Sequence, residues 1–316
     1  MHLPAPVGAL SSAVVAALRA DPHPGGRELP RASDRRDAAF SLWVLQELHY
    51  RGFDDVDDRH EWQPELVAAR VRLEDALEQR LRDACPAPAD CDDVVAGIED
   101  LISADDGPSL ARHVQVRASR VEVDHLLRQR SLYHLKEADP TAWVVPRLDA
   151  DVKAALVEIQ FDEYGAGDAS RMHHRLFEDG LRASGIDAAY GAHLAEASTA
   201  VLEQNCAMSM FGLQRRLRGA ALGHFAAFEA TSSLPSRQMA QGLDRLGYAA
   251  ELVAYYDEHV EADAVHEHLA LRDVCGALVA AEPALAGDVM LGAWTCLALE
   301  SAVAADLLGS WWLAAA

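Results

Sequence analysis

Tyr256-Asp257-Glu258-His259-Val260-Glu261-Ala262-Asp263-Ala264-Val265-His266 is the stretch on which the reading of this chain turns, because it sets two histidines and an aspartate on one helix face. Asp263 follows His259 by four residues and His266 follows it by seven. At about 3.6 residues per turn the three side chains fall within about 40° of a common line. The two histidines then sit about 10 Å apart along the axis, which is long for one shared ion. Two ions with Asp263 between them fit better. Nitrogen and oxygen donors without a thiolate suit iron or manganese rather than structural zinc. A hydrated surface stripe has the same composition, so the rest of the chain must decide.

The 316 residues are half apolar, enough to bury a substantial interior. Fifty acidic against 28 basic residues give a formal charge of −22. That charge argues against nucleic acid or an anionic membrane surface as a partner. Five cysteines without a repeated CxxC form neither a disulfide framework nor a zinc knuckle. Cys206, Cys275 and Cys296 lie in apolar helical surroundings and read as core, whereas Cys85 and Cys91 read as loop thiols. Neither a signal peptide nor a membrane span is legible, and a cytoplasmic protein is expected.

No window alternates with period two, so the expected fold is all-α. Ser11 to Arg19 predicts a short helix, and Ser33-Asp34 caps the next. Apolar spacing predicts helices from Pro64 to Ala84 and from Asp92 to Ile102. These N-terminal helices hold few catalytic groups and read as packing and association surface. Ser109 to Lys136 reads as helical, Ser236 to Leu246 as a short helix, and Val265 to Ala280 and Pro283 to Leu308 as core helices of a bundle.

Several carboxylates and histidines in this background are candidates for chemistry. Glu122-x-x-His125 has the spacing of carboxylate-bridged di-iron bundles but lacks a true second copy, and it reads as a solvated or supporting pair. Glu137, placed in the last turn of a helix before Pro140, sits at the negative end of the helix dipole and hints at a compensating cation. Glu163 and His173 would lie about 15 Å apart on one straight helix, a separation that a break at Gly165 and Gly167 removes. Glu158 is the alternative carboxylate of that segment. Glu229 ends the apolar run Gly223-His224-Phe225-Ala226-Ala227-Phe228, where a glutamate is seldom buried unless paired or metal-bound. Phe161, Tyr164, Phe225, Phe228 and Tyr256 are candidates for pocket lining.

Taken in order, Arg130-Ser-Leu-Tyr-His-Leu-Lys-Glu137-Ala-Asp-Pro140, Glu158-Ile-Gln-Phe-Asp-Glu163-Tyr-Gly, Met172-His173, Phe228-Glu229 and His259-x3-Asp263-x2-His266 resemble the haem-oxygenase-like di-iron oxidases and oxygenases, or iron-containing redox enzymes. The resemblance covers roughly residues 110 to 310. It implies a haem-oxygenase-like helical bundle over residues 109–316, with residues 1–108 as an N-terminal helical extension. It further implies Glu163, His173, Glu229, His259, Asp263 and His266 as metal ligands, with His174 as the alternative to His173. Glu137 resembles an added ligand found in N-oxygenating members. The carboxylates Glu137, Glu163, Glu229 and Asp263 are thereby also implied in catalysis.

The activity implied is that of two iron ions and O2 oxidising a small molecule, with amine N-oxygenation in specialised metabolism as the first expectation. Carbon–carbon cleavage or decarboxylation of an amino or fatty acid, and plain iron binding, are the alternatives. The electrons must come from an external reductase or reductant, since no GxGxxG follows a strand. A homodimer is expected from the resemblance and the apolar N-terminal helices.

Overall fold

Caps and prolines mark out the helices of the chain, whose structure is a computed structural model describing residues 1–22, 28–86 and 93–315, without the side chains at 261–265, 314 and 315. The expectation for Cys91 therefore lies outside the described residues, and so does that for the side chain of Asp263. Asp34 accepts from the Asp37 amide at the head of α2 (Arg35–Glu47), which follows α1 (Ala9–Leu18). Pro64 opens α3 (Pro64–Ala84), where its missing N–H costs nothing. Asp93 caps α4 (Val94–Ser103).

The helical pattern from Ser109 to Lys136 divides into α5 (Leu110–Val116) and α6 (Arg120–His134). Ser119 and Glu122 form a capping box that starts α6, a local hydrogen-bond pattern that apolar periodicity does not register. α6 ends at His134, so Glu137 lies beyond its last turn and just before α7 (Asp139–Ala142), which Pro140 helps to start. The expected placement of Glu137 inside the helix end is corrected accordingly.

α8 (Ala150–Glu163) stops where the sequence breaks. Gly165 and Gly167 adopt φ of +71° and +86°, a region that residues with a Cβ enter at a cost. A short turn then leads to α9 (His173–Ala183), α10 (Thr199–Leu213), α11 (Arg218–Arg245) and α12 (Ala250–His268).

α11 runs unbroken through Pro235, where a separate helix from Ser236 is expected. The hydroxyls of Thr231 and Ser232 donate to the carbonyls of Ala227 and Glu229. Packing of α11 on α5, α12 and α14 (Ala286–Ala315) favours one helix despite the lost N–H. No separate helix begins at Val265 either. α12 passes directly into a π-helical segment, Leu269–Gly276, and on to α13 (Ala277–Ala281).

Among the described residues there is no strand, and the all-α fold expected from the sequence is the one formed. One buried apolar core runs from Leu10 and Trp43 through Leu127, Leu202 and Leu252 to Val303. α11 and α14 meet at glycines: a Cβ on Gly223 would collide with the Val289 carbonyl, and one on Gly292 with the Ala220 carbonyl. Pro283–Leu313 is long and apolar enough to cross a membrane, but 61% of its most apolar stretch is buried inside the protein. It serves here as a core helix.

Candidate metal centre

Five segments converge on one buried volume. Glu137 comes from the turn after α6, Glu163 from the last residue of α8, His173 from the first residue of α9, Glu229 from mid-α11, and His259 and His266 from α12. They form two groups, Glu137 with His173 and His259, and Glu163 with Glu229 and His266. All six residues are buried, and within each group the donor atoms lie within 4.8 Å of one another. The separation of His259 and His266 read from helix geometry accordingly puts them in different groups. Glu163 Oε2 lies 3.0 Å from His173 Nδ1 and so joins the two.

The rings present their nitrogens in a defined way. His259 donates its Nδ1–H to the Tyr255 carbonyl at 2.7 Å, which turns Nε2 toward Glu137 Oε1 at 3.6 Å. His266 Nε2 lies 3.2 Å from Asp162 Oδ2, leaving Nδ1 3.4 Å from Glu229 Oε2. A histidine whose second nitrogen is held by a carbonyl or a carboxylate is the usual form of a metal-ligating imidazole. Glu137 is held as well: Tyr255 O–H donates to its Oε2 at 3.0 Å, and His134 Nδ1 lies 3.1 Å from its Oε1.

The charges call for a cation. Burial alone would lower the His266 imidazole, but the carboxylates of Glu229 and Asp162 outweigh it and raise it to about 9. Burial likewise works against the charged form of His173, and the Glu163 carboxylate overrides it and raises the imidazole. For Glu137, burial would push the carboxyl up, and His134 and His259 hold it well below its ordinary range. Meanwhile Glu163 Oε2, His173 Nδ1 and His266 Nδ1 are buried and none has an aligned hydrogen-bond partner among the described residues. Their ion pairs with one another and with Glu229 leave them satisfied only in part. Two hard or borderline cations bound by three donors apiece would satisfy them fully, so the donor set fits iron.

Of the adjacent histidines, His173 is the one brought into the site, whereas His174 is only half-buried. Glu158 is exposed and plays no part. Glu122 is spent on the cap of α6, and His125 Nδ1 accepts from the Trp311 indole at 3.0 Å. Phe161 is exposed, and Tyr164 donates to Asp139 rather than lining the site. Phe225 and Phe228 do line small cavities against Glu137, Glu163, Glu229 and His259.

Sequence reading missed His134, Tyr255 and Asp162. All three carried a signal: His134 lies one turn before Glu137, Tyr255 one turn before His259, and Asp162 next to Glu163.

An all-α bundle enclosing paired histidine–carboxylate groups defines a class of metal-dependent oxidoreductases. The chain belongs to the iron-containing redox enzyme family, whose model matches residues 124–301. No curated protein matches it. Among solved structures it is similar to a CADD-like protein of unknown function from Nostoc punctiforme PCC 73102, at a TM-score of 0.53 and 17% identity over 69% of this chain and 96% of that one. A second structure of that cyanobacterial protein aligns at a TM-score of 0.48 and 17% identity, over 75% of this chain and 95% of that one. The first of these likenesses bears on the fold alone.

Proposed function

We propose that this chain is a non-haem di-iron oxygenase that uses O2 to oxidise a small molecule, with N-oxygenation of an amine as the reaction. The observation that carries the reading is the pair of buried three-donor groups joined through Glu163 and His173. Glu137, His173 and His259 would hold one iron, and Glu163, Glu229 and His266 the other. Asp263, whose position on α12 lies between the two histidines, is proposed as a further ligand. Iron in this ligand set supplies the electrons that reduce O2 and the oxidising equivalents that the bound molecule receives. Tyr255 and His134 hold Glu137 in register, Asp162 fixes the His266 ring, and the burial of all six donors keeps bulk water out. An added carboxylate at Glu137 supports nitrogen oxidation over cleavage.

Electrons for repeated turnover are proposed to come from a separate reductant. Residues 1–108 are proposed as an extension to the family's domain, a division that the start of the family match at residue 124 supports. Self-association through that extension and a cytoplasmic location belong to the same reading.

The test is anaerobic loading with ferrous iron, followed by O2 and a panel of amines. Two irons per chain, O2 uptake that depends on the amine, and a hydroxylamine product are expected. One iron or fewer per chain would refute the di-iron site. Two irons with a cleaved or decarboxylated product would refute N-oxygenation and leave the metal site standing.

A further inference from the structure

A cavity of about 220 Å³ lies beside the ligand groups, lined in part by Arg130, His134, Phe228, Tyr256 and Glu300. Phe228 is common to this cavity and to the two small ones that touch Glu137, Glu163, Glu229 and His259. His134 lines the cavity and is also held against Glu137. Those two side chains are therefore the partition between the cavity and the centre.

An ion pair faces this space. Arg130 Nη1 donates to Glu300 Oε2 at 2.9 Å and Arg130 Nη2 donates to Glu300 Oε1. Gln204 Nε2 donates to Glu300 Oε2 at 2.8 Å. The two charged side chains retain 17% and 39% of their surface, and both line the cavity. A guanidinium has five N–H groups and a carboxylate about four lone-pair positions. After these bonds Arg130 keeps roughly three N–H groups and Glu300 roughly one acceptor position. That remainder matches a ligand that brings a carboxylate to Arg130 and a single ammonium hydrogen to Glu300. Leu126, Met239 and Leu297 add apolar wall for the body of such a molecule.

We infer that this cavity, of about 220 Å³, is the substrate pocket and that it takes a small zwitterionic amino-carboxylate. The carboxylate lies on Arg130, the ammonium on Glu300, and a second amine at the far end of the substrate, the one to be oxidised, is directed past Phe228 toward the ligand groups. Its description as a substrate rests on the proposed function, whereas its description as a zwitterion site does not.

Calorimetry on the anaerobic iron-loaded chain tests it with three probes that share an alkyl body: norleucine, hexanoate and pentylamine. Norleucine is expected to bind at least tenfold more tightly than either single-charge probe. Arg130→Gln is expected to weaken norleucine and hexanoate at least tenfold. Glu300→Gln is expected to weaken norleucine and leave hexanoate within threefold. Hexanoate or pentylamine binding as tightly as norleucine to the unaltered chain would overturn the inference, as would no binding of any probe. That ranking needs no variant to fold. Iron content, measured on the same samples, reports separately on the metal centre: low iron with the expected ranking sinks the di-iron reading and keeps the zwitterion site.

Discussion

His224 gives the fold a measurable acid sensitivity. Its imidazole is 6% exposed on α11, with Nε2 buried and lacking a hydrogen-bond partner among the described residues. Burial lowers it to about 4 from an ordinary value near 6.5, against a weaker opposing pull from Glu300. Because its folded value is depressed, the unfolded chain takes up a proton first as the pH falls, and stability is lost between about pH 6.5 and pH 4. The fall from about 6.5 to about 4 is worth about 3 kcal/mol once complete, of which about 2 kcal/mol is gone by pH 5. His224→Leu removes the titration. Urea unfolding of the chelator-treated protein at pH 7 and pH 5 is expected to show a pH-dependent loss about 2 kcal/mol smaller in the variant than in the unaltered chain. Equal losses in the two proteins would refute the argument, because they would mean that the imidazole titrates in the folded chain as it does in the unfolded one.

The remaining predictions address the centre and its surroundings. His259→Ala and His266→Ala are each expected to reduce bound iron from two per chain to one, because the two rings serve different donor groups, while Glu163→Ala is expected to weaken both sites; elemental analysis after ferrous loading checks this. Removing bound metal is expected to lower the Tm by about 10 °C in a thermal scan, since two sites held at about 100 times Kd stabilise by about 2.7 kcal/mol each. Gly223→Ala is expected to cost about 2 kcal/mol in guanidinium unfolding, because the new methyl meets the Val289 carbonyl where α11 and α14 cross. Lys136→Met leaves the buried Glu47 without its cation 3.3 Å away and is expected to cost about 3–5 kcal/mol, with much of the loss restored in the double variant Lys136→Met/Glu47→Gln.

The centre was legible in the sequence where local geometry alone set the outcome. Seven residues on one helix fix the separation of His259 and His266, and no packing partner changes it. Gly165 and Gly167 announce the turn that carries the chain from Glu163 back to His173, because positive φ is cheap only there. Glu229 stands out because a lone carboxylate in an apolar run needs a partner. Helix boundaries escaped where tertiary contacts or single hydrogen bonds outvote periodicity. Ser119 and Glu122 start a new helix inside a continuous apolar pattern, and three neighbouring helices carry α11 through Pro235.

Glu137 marks the limit of such reading. Its sequence neighbours suggest a carboxylate at a helix end, yet the helix has already stopped three residues earlier. What directs the side chain inward is the Tyr255 hydroxyl, 118 residues further on, together with His134. Tyr255 also supplies the carbonyl that orients His259. One residue thus sets the geometry of a carboxylate with its hydroxyl and of an imidazole with its backbone, which couples two donors of the same group. Tyr255→Phe keeps the carbonyl and removes the hydroxyl, so it separates the two contributions. The expected result is full iron binding at Glu163, Glu229 and His266, weakened binding at Glu137, His173 and His259, and a Tm within a few degrees of the unaltered chain. Iron uptake unchanged at both sites would show that Glu137 is held by His134 alone.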